Sequence, residues 1–437
     1  MKKILFALFS VTIAVTLNAQ DQYSASEFAT SDLNGTSRYV GLGGALDALG
    51  GDISVMGSNP AGTAIYKKTD MSFTAGAFFT GEDGQLGHDG NLSQTNQIAN
   101  LMNESYQYNS YGMLTGVAYD AGLLYDVKDE QNNHKTYRGV GAQTANFRRA
   151  TYGSTSQFDL NLSFNISNQF FWGMSVGVYD VNYNRETLYS ELGVDNIGYD
   201  IRNWYETNGN GFDIKMGLIW RPIKESPFRV GLSVHTPTWY RLEDTNGTDI
   251  SINNSTIWDS ADPYEYDYRT PWKFGFSLGH TVGNFLALGA QYEVSDLSSC
   301  HYSSVDWDND DYFRLMNDKI SNQLKAQHTL RFGMEIKPAT NFALRFGYNY
   351  VSSPIKETAW KESFCDGYNG ETDYINWGGT NRITCGLGYR FNGGYFDISY
   401  QYQTQKGDFY AFCDESLQPT QIKNNRNQLM ATIGFRF

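Results

Sequence analysis

Gln428-Leu429-Met430-Ala431-Thr432-Ile433-Gly434-Phe435-Arg436-Phe437 closes the chain, and it alternates without a break. Leu429, Ala431, Ile433, Phe435 and Phe437 share one face, while Thr432, Gly434 and Arg436 share the other. Successive side chains of a strand point to opposite faces, so this is a strand with one apolar and one polar side. Its neighbour upstream repeats the pattern: Phe396, Ile398, Tyr400 and Tyr402 alternate with Asp397, Ser399, Gln401 and Gln403.

The period continues towards the N-terminus. Ile383, Cys385, Leu387, Tyr389 and Phe391 alternate with Thr384, Gly386, Gly388 and Arg390. Phe342, Leu344, Phe346 and Tyr348 form one row, and Leu330, Phe332, Met334 and Ile336 another. Further strands are expected at 286–294, 272–278, 228–234, 212–220, 172–178, 158–166, 113–125 and 71–79. Tight connections (Ser167-Asn168, 222–227, Val282-Gly283, 338–341 and 392–394) alternate with long polar ones near 190–208, 246–263, 305–325, 353–379 and 406–425. Short turns on one side and long loops on the other are the habit of transmembrane β-barrels. The expected fold is therefore all-β: an antiparallel transmembrane barrel of about 14 strands, an even number. A soluble sandwich would break its edge strands with Lys or Pro, whereas a sheet in lipid must close.

Two stretches depart from the period. Tyr137 to Arg149 has no apolar face and carries Gly139 and Gly141, as a bent third strand would. Asp310 to Leu324 places Tyr312, Leu315, Met316 and Ile320 at helical spacing, which predicts a short helix in a surface loop.

Met1-Lys2-Lys3, an apolar run from Ile4 to Leu17 and then Asn18-Ala19 have the parts of a secretory signal peptide, with cleavage expected after Ala19. No later apolar run approaches the ~20 residues of a spanning helix. The formal net charge of −14 argues against nucleic acid as a partner and fits acidic outer loops. Of the four cysteines, Cys365 and Cys413 both fall in expected loops and are the candidate disulfide pair, with connectivity left open. No Cys or His spacing suggests a metal site. Gly-x-Ser-x-Gly is absent from a strand-to-helix setting, so the expectation is that the protein is not an enzyme and has no catalytic residues.

Residues 20–68 lack a strand period and precede the first strand, so the expected organisation is signal peptide 1–19, a lumen-filling segment 20–68 and a barrel 69–437. This segment reads Arg38-Tyr39-Val40-Gly41-Leu42-Gly43-Gly44-Ala45 and later Asn59-Pro60-Ala61-Gly62. Gly41, Gly43 and Gly44 mimic a dinucleotide fingerprint, but no strand precedes them, so close packing of backbone in a narrow lumen is the better reading.

The two motifs, lying just before the first strand, resemble the FadL/TodX outer-membrane transporters of hydrophobic compounds. The resemblance implies an N-terminal hatch that includes Asn59, Pro60 and Ala61, together with Gly41, Gly43 and Gly44. It also implies passive uptake of molecules such as long-chain fatty acids, with a lateral gate in a kinked third strand, placed at Gly139 and Gly141. Some members of this family are called hemin receptors, so heme is the alternative ligand. His88 and His301 are the histidines exposed enough to meet it. Other relatives serve as surface components of secretion systems. The C-terminal Phe437 resembles the signal read by the barrel-assembly machinery, and the expected partners are otherwise outer-membrane lipid and a small hydrophobic ligand, with the protein a monomer.

Loop aromatics Trp239, Tyr240, Trp258 and Tyr312 are the expected capture surface for such a ligand. Charges on the polar parity, namely Arg229, Arg331, Arg345, Arg390, Glu293 and Glu335, are expected to line the lumen as ion pairs, because a buried charge needs a partner.

Overall fold

The computed structural model describes the chain except for residues 1–19, 84–92, 109–111, 129–134, 306–309, 362–369, 415–416 and 437. The expected signal peptide, His88, Cys365 and Phe437 therefore lie outside the described residues, and with them the expected Cys365–Cys413 pairing.

The molecule is an antiparallel β-barrel whose wall is one large sheet. Its strands are β1 (Asp70–Asp83), then, after a small hairpin β2 (Tyr125–Lys128) and β3 (Lys135–Arg138), the long β4 (Ala142–Ile166), β5 (Phe170–Gly193) and β6 (Gly198–Trp220). Three passes follow that are interrupted midway: β7 (Arg229–His235) with β8 (Trp239–Ile252); β9 (Ser255–Ser260), β10 (Tyr264–Arg269) and β11 (Lys273–Val282); and β12 (Leu286–Asp296) with β13 (His301–Ser304). The chain ends with β14 (Ala326–Ala339), β15 (Phe342–Val351), β16 (Tyr374–Phe391), β17 (Gly394–Tyr410) and β18 (Thr420–Arg436). β18 pairs with β1 over its whole length, from Asp70↔Arg436 to Asp83↔Lys423, so the first strand seats against the last.

Counted as passes, with β7–β8, β9–β11 and β12–β13 each taken as one, the described residues cross about twelve times, again an even number. The difference from the sequence expectation has two causes. Residues 113–120 form helix α4 (Met113–Asp120), not a strand, and bury Met113, Leu114, Val117 and Ala118. These fall on one helical face as readily as on one strand face. The stretches expected as a third and a fourth strand are one continuous strand, β4.

The expected long loops at 190–208, 246–263 and 406–425 are largely strand as well, with β5–β6 turning only at 194–197. Their polar residues on both faces hid them, because β4, β5 and β6 run to 25, 24 and 23 residues, far beyond the ~10 a membrane requires. The excess stands outside the bilayer as a polar extension.

Below it lies the apolar belt. Phe158, Leu160, Leu162, Phe164 and Ile166 of β4 are exposed outward, as are Phe396, Ile398 and Tyr400 of β17 and Leu429, Ile433 and Phe435 of β18. The reading of the C-terminal stretch holds from Gln428 to Arg436, with Met430 and Thr432 buried on the lumen side. At the opposite rim to the extension the turns are tight: Ser167 and Asn168 both have positive φ, 56° and 54°, as a two-residue hairpin turn demands.

Helix α5 (Asp310–Gln323) forms where expected, burying Phe313, Met316 and Ile320, although Leu315 points to solvent. Two apolar clusters fill the half of the barrel that bears the extension. One joins helix α3 (Gln94–Tyr108) and α4 to Tyr189, Ile201, Ile250 and Phe412. The other joins the N-terminal helix α1 (Gln22–Ala29) and α5 to Tyr266, Tyr268, Tyr302 and Leu297.

Candidate functional site

The segment before β1 divides into two parts. α1 lies high in the lumen, and from Thr36 onwards the chain crosses the narrow base. There it forms helix α2 (Ser37–Gly41) and two 3-10 turns, Ile53–Gly57 and Pro60–Ile65. Thr36 caps α2 by accepting from the Tyr39 amide, and Asn59 caps the last turn by accepting from the Ala61 amide.

This base segment is held by close approach. Its backbone runs against glycines at lumen-facing positions of successive strands. A Cβ on Gly217 would sit 2.0 Å from Asn59 Oδ1, on Gly289 2.0 Å from the Ala45 carbonyl oxygen, on Gly333 2.5 Å from that of Leu42 and on Gly347 2.2 Å from the Gly43 amide nitrogen. Gly289 pairs with Gly333, and Gly333 with Gly347, so three strands present one glycine row. Gly43 and Gly44 return the favour from the hatch, with φ of 62° and 80° that only glycine adopts freely. The strand glycines were visible in the sequence as gaps in the polar parity, but nothing there said that a second chain segment filled them.

Asn59, Pro60 and Ala61 thus sit against the wall as an anchor. Asn59 Nδ2 donates to the carbonyls of Leu218 and Leu232, on two different strands, at 3.5 and 3.3 Å. Thr63 Oγ1 reaches Asn161 and Ser163 of β4 at 2.7 and 2.8 Å. The Ser58 carbonyl meets His235 Nε2 at 2.8 Å.

The expected lumen charges are paired in part. Arg331 meets Glu293 at 3.4 Å, and Arg345 meets Glu335 at 2.8 Å and Asp397 at 2.7 Å. Arg38 of the hatch, missed in the sequence, joins the same group at 3.2 Å from Glu335, so wall pairing and hatch anchorage are one network. Arg229 instead donates to the hatch carbonyl of Leu49 at 2.5 Å. Arg390 forms no ion pair among the described residues; its backbone amide bonds Asn341.

The aromatic capture set does not assemble. Trp239 and Trp258 are exposed on the outer surface, Tyr240 is buried in the lumen wall, and Tyr312 donates to the Gln20 carbonyl beside α1. Gly139 and Gly141 are also displaced, since both precede β4 and lie in no strand. A Cβ on Gly139 would meet the Thr95 backbone at 2.3 Å, so this glycine serves the packing of α3. In β4 the pairing register shifts between Ala142 and Thr144; Gly153 has a φ of 137° but pairs in register with Tyr183, and residues 150–158 are exposed on both faces.

Above the hatch lies a chamber of about 1120 Å³, bounded by α1, the hatch and the strand walls. Its lining mixes tyrosines with charges that neutralise one another: Lys215 with Asp159 and Asp213 at 2.9 and 3.1 Å, Lys361 with Asp21 at 3.2 Å, Arg382 with Asp32 at 3.1 Å, and Arg149 with Asp373. A second cavity, of about 470 Å³, lies between the hatch and the inner face of β1. Asn34, Gly35, Ile53 and Ser54 line both and form the partition between them.

A plugged barrel with a chamber over its plug matches solved structures along nearly its whole length. A FadL homologue from Pseudomonas aeruginosa aligns over 92% of this chain and 98% of its own, with a TM-score of 0.52 and 13% identity. The fold is that of the FadL/TodX-type channels. The toluene transporter TodX from P. putida aligns over 93% and 99%, with a TM-score of 0.51 and 12% identity. No family model and no curated relative matches the sequence. At such identities the FadL/TodX likeness is one of fold.

Proposed function

We propose that the protein is an outer-membrane channel for passive uptake of small hydrophobic or amphipathic molecules. The observation that carries this reading is the chamber: an internal cavity of about 1120 Å³ over a seated hatch, in a barrel with an apolar belt. Pockets of this size suit drug-sized ligands. Solved structures that share the fold include one described as a toluene transporter.

Exit is proposed to be sideways. β4 and β1 are the two ends of the described strand order, and β4 carries both the register shift at Ala142–Thr144 and the positive-φ Gly153. The second cavity lies on the inner face of β1, one partition away from the chamber. Ligand would pass Asn34–Gly35 and Ile53–Ser54 and leave between β1 and β4, while Asn59-Pro60-Ala61 stays in place.

Heme fits less well. His235 is the histidine lining the chamber among the described residues, and its Nε2 is engaged by the Ser58 carbonyl. The polar extension of β4, β5 and β6 favours a second reading, a surface that holds a protein partner.

Native mass spectrometry of the purified barrel, offered long-chain fatty acid and heme together, tests the reading. Retained fatty acid supports the channel, and retained heme makes this a heme receptor. If neither is held, a search for a protein bound to the extension comes next.

A further inference from the structure

Among the described residues, Lys273 is a chamber cation without an ion pair of its own: the nearby Glu293, which feels its charge, is already paired with Arg331. Lys273, at the start of β11, lines the chamber, and no carboxylate of the described residues comes within ion-pair distance of it. Its ammonium makes a long hydrogen bond, 3.4 Å, to the Ala29 carbonyl at the last turn of α1. That carbonyl belongs to the negative end of a helix and holds an ammonium weakly compared with a carboxylate.

Aromatic rings stand beside it on the same chamber wall. Phe28, next to Ala29, packs edge-on to Tyr183 with centroids 5.6 Å apart, and Tyr179 and Tyr240 lie 5.8 Å apart. The hydroxyls of Tyr179 and Tyr183 are spent on Asp213 and Glu27, at 2.8 and 3.0 Å, so these rings are fixed in place and offer their carbon surfaces. Ring surfaces next to an ammonium with no ion pair of its own match a flat ring system that carries an anion, since aromatic pairs gain from ring geometry beyond buried area. A long alkyl chain would gain burial alone, and much of the remaining wall is ion pairs.

We propose that the chamber is a binding site for aromatic carboxylates, with the carboxylate on Lys273 Nζ and the ring system against Phe28, Tyr183 and Tyr240. The ligand's carboxylate takes the place of the Ala29 carbonyl, and binding thereby loosens the end of α1. This inference deepens the channel reading and rests on it.

The test is calorimetric titration of the full-length barrel in nanodiscs with 2-naphthoate, 2-naphthalenemethanol and laurate, for the wild type, Lys273→Gln and Lys273→Arg. The acid is expected to bind about tenfold or more tighter than the alcohol, as one charge-assisted hydrogen bond allows. Lys273→Gln should bring the acid down to the level of the alcohol and leave the alcohol unchanged, while Lys273→Arg should retain the preference. Unchanged acid preference in Lys273→Gln would overturn the assignment of Lys273, and laurate binding tighter than naphthoate would overturn the ring site. Equal binding of acid and alcohol sinks the proposal but leaves the channel standing. Failure of all three ligands to bind removes both.

Discussion

The two halves of this barrel hold their contents in different ways. At the base, hatch and wall meet backbone to backbone across glycines, with the Arg38–Glu335–Arg345–Asp397 network beside them. In the half that bears the extension, α1 meets its surroundings through side chains. Tyr268 donates to the Ala25 carbonyl at 2.6 Å, Tyr302 to that of Asp21 at 3.4 Å, and Gln22 to Gln323 at 2.9 Å. Backbone packed on glycine has no side chain to rearrange, so it fits one way or not at all. Tyrosines and amides around α1 can exchange partners, at little cost, with water or a ligand. The base is thus built to stay and the upper half to respond, which is why the proposed exit path leaves the hatch seated.

Breaking the glycine row gives the largest expected effect. In Gly347→Val the new Cβ would meet the Gly43 amide at 2.2 Å and the Leu42 carbonyl carbon at 2.4 Å, neither of which can move without unseating α2. A loss of about 4–5 kcal/mol is expected, above the ~1–3 kcal/mol usual for overpacking, because backbone and not a side chain stands in the way. On gels, the heat-modifiable folded band should disappear. A folded band with unchanged melting would mean that the hatch is loosely held and that the contrast between halves is false.

How much of this could be read in the sequence follows the same division. The period-two pattern of 428–437, 396–403 and 383–391 was legible because lipid on one side and lumen on the other impose opposite polarities. It failed above the membrane, where both faces of β4, β5 and β6 meet water or protein and polar residues on both sides looked like loops. It also failed at 113–120, where a short apolar run fits either period. Arg229 and Arg345 showed as lumen charges, but Arg38 did not, because the hatch has no period against which a charge stands out. Gly139 and Gly141 were misplaced because a glycine marks a close approach without naming what approaches, here α3 in one case.

The charge network at the base ranks next. Arg345→Met leaves Asp397, which is 3% exposed, without its ion-pair partner, while Glu335 keeps Arg38 and Lys337. Removing one partner of a buried pair costs about 3–5 kcal/mol. The melting temperature should fall accordingly and recover partly in the double variant Arg345→Met/Asp397→Leu, where the orphaned carboxylate is also gone. No recovery would mean that Arg345 acts by its packing against Gly41 and Gly386 rather than by its charge.

The smallest effect sharpens the other side of the comparison. Asp244 in the polar extension is buried and accepts from Tyr205 at 2.6 Å, Thr207 at 2.7 Å, Tyr266 at 3.1 Å and the Gln20 amide at 2.7 Å, with no ion pair among the described residues. Burial pushes its carboxyl up from 3.8 to about 6, against the lowering by those hydrogen bonds. In this window the folded state binds the proton more tightly than the unfolded chain, so stability falls as pH rises from about 4 to about 6. Asp244→Asn should remove that part of the slope, so that its stability relative to the wild type rises by on the order of 1–2 kcal/mol between pH 4 and pH 7. Melting curves of both proteins at pH 4, 5, 6 and 7 give the difference directly, with the other titrating groups cancelling. A constant difference across that range would mean that Asp244 keeps its charge throughout. The Gln20 contact would then be a fixed anchor like those at the base, and the upper half would be less free to respond than its tyrosines suggest.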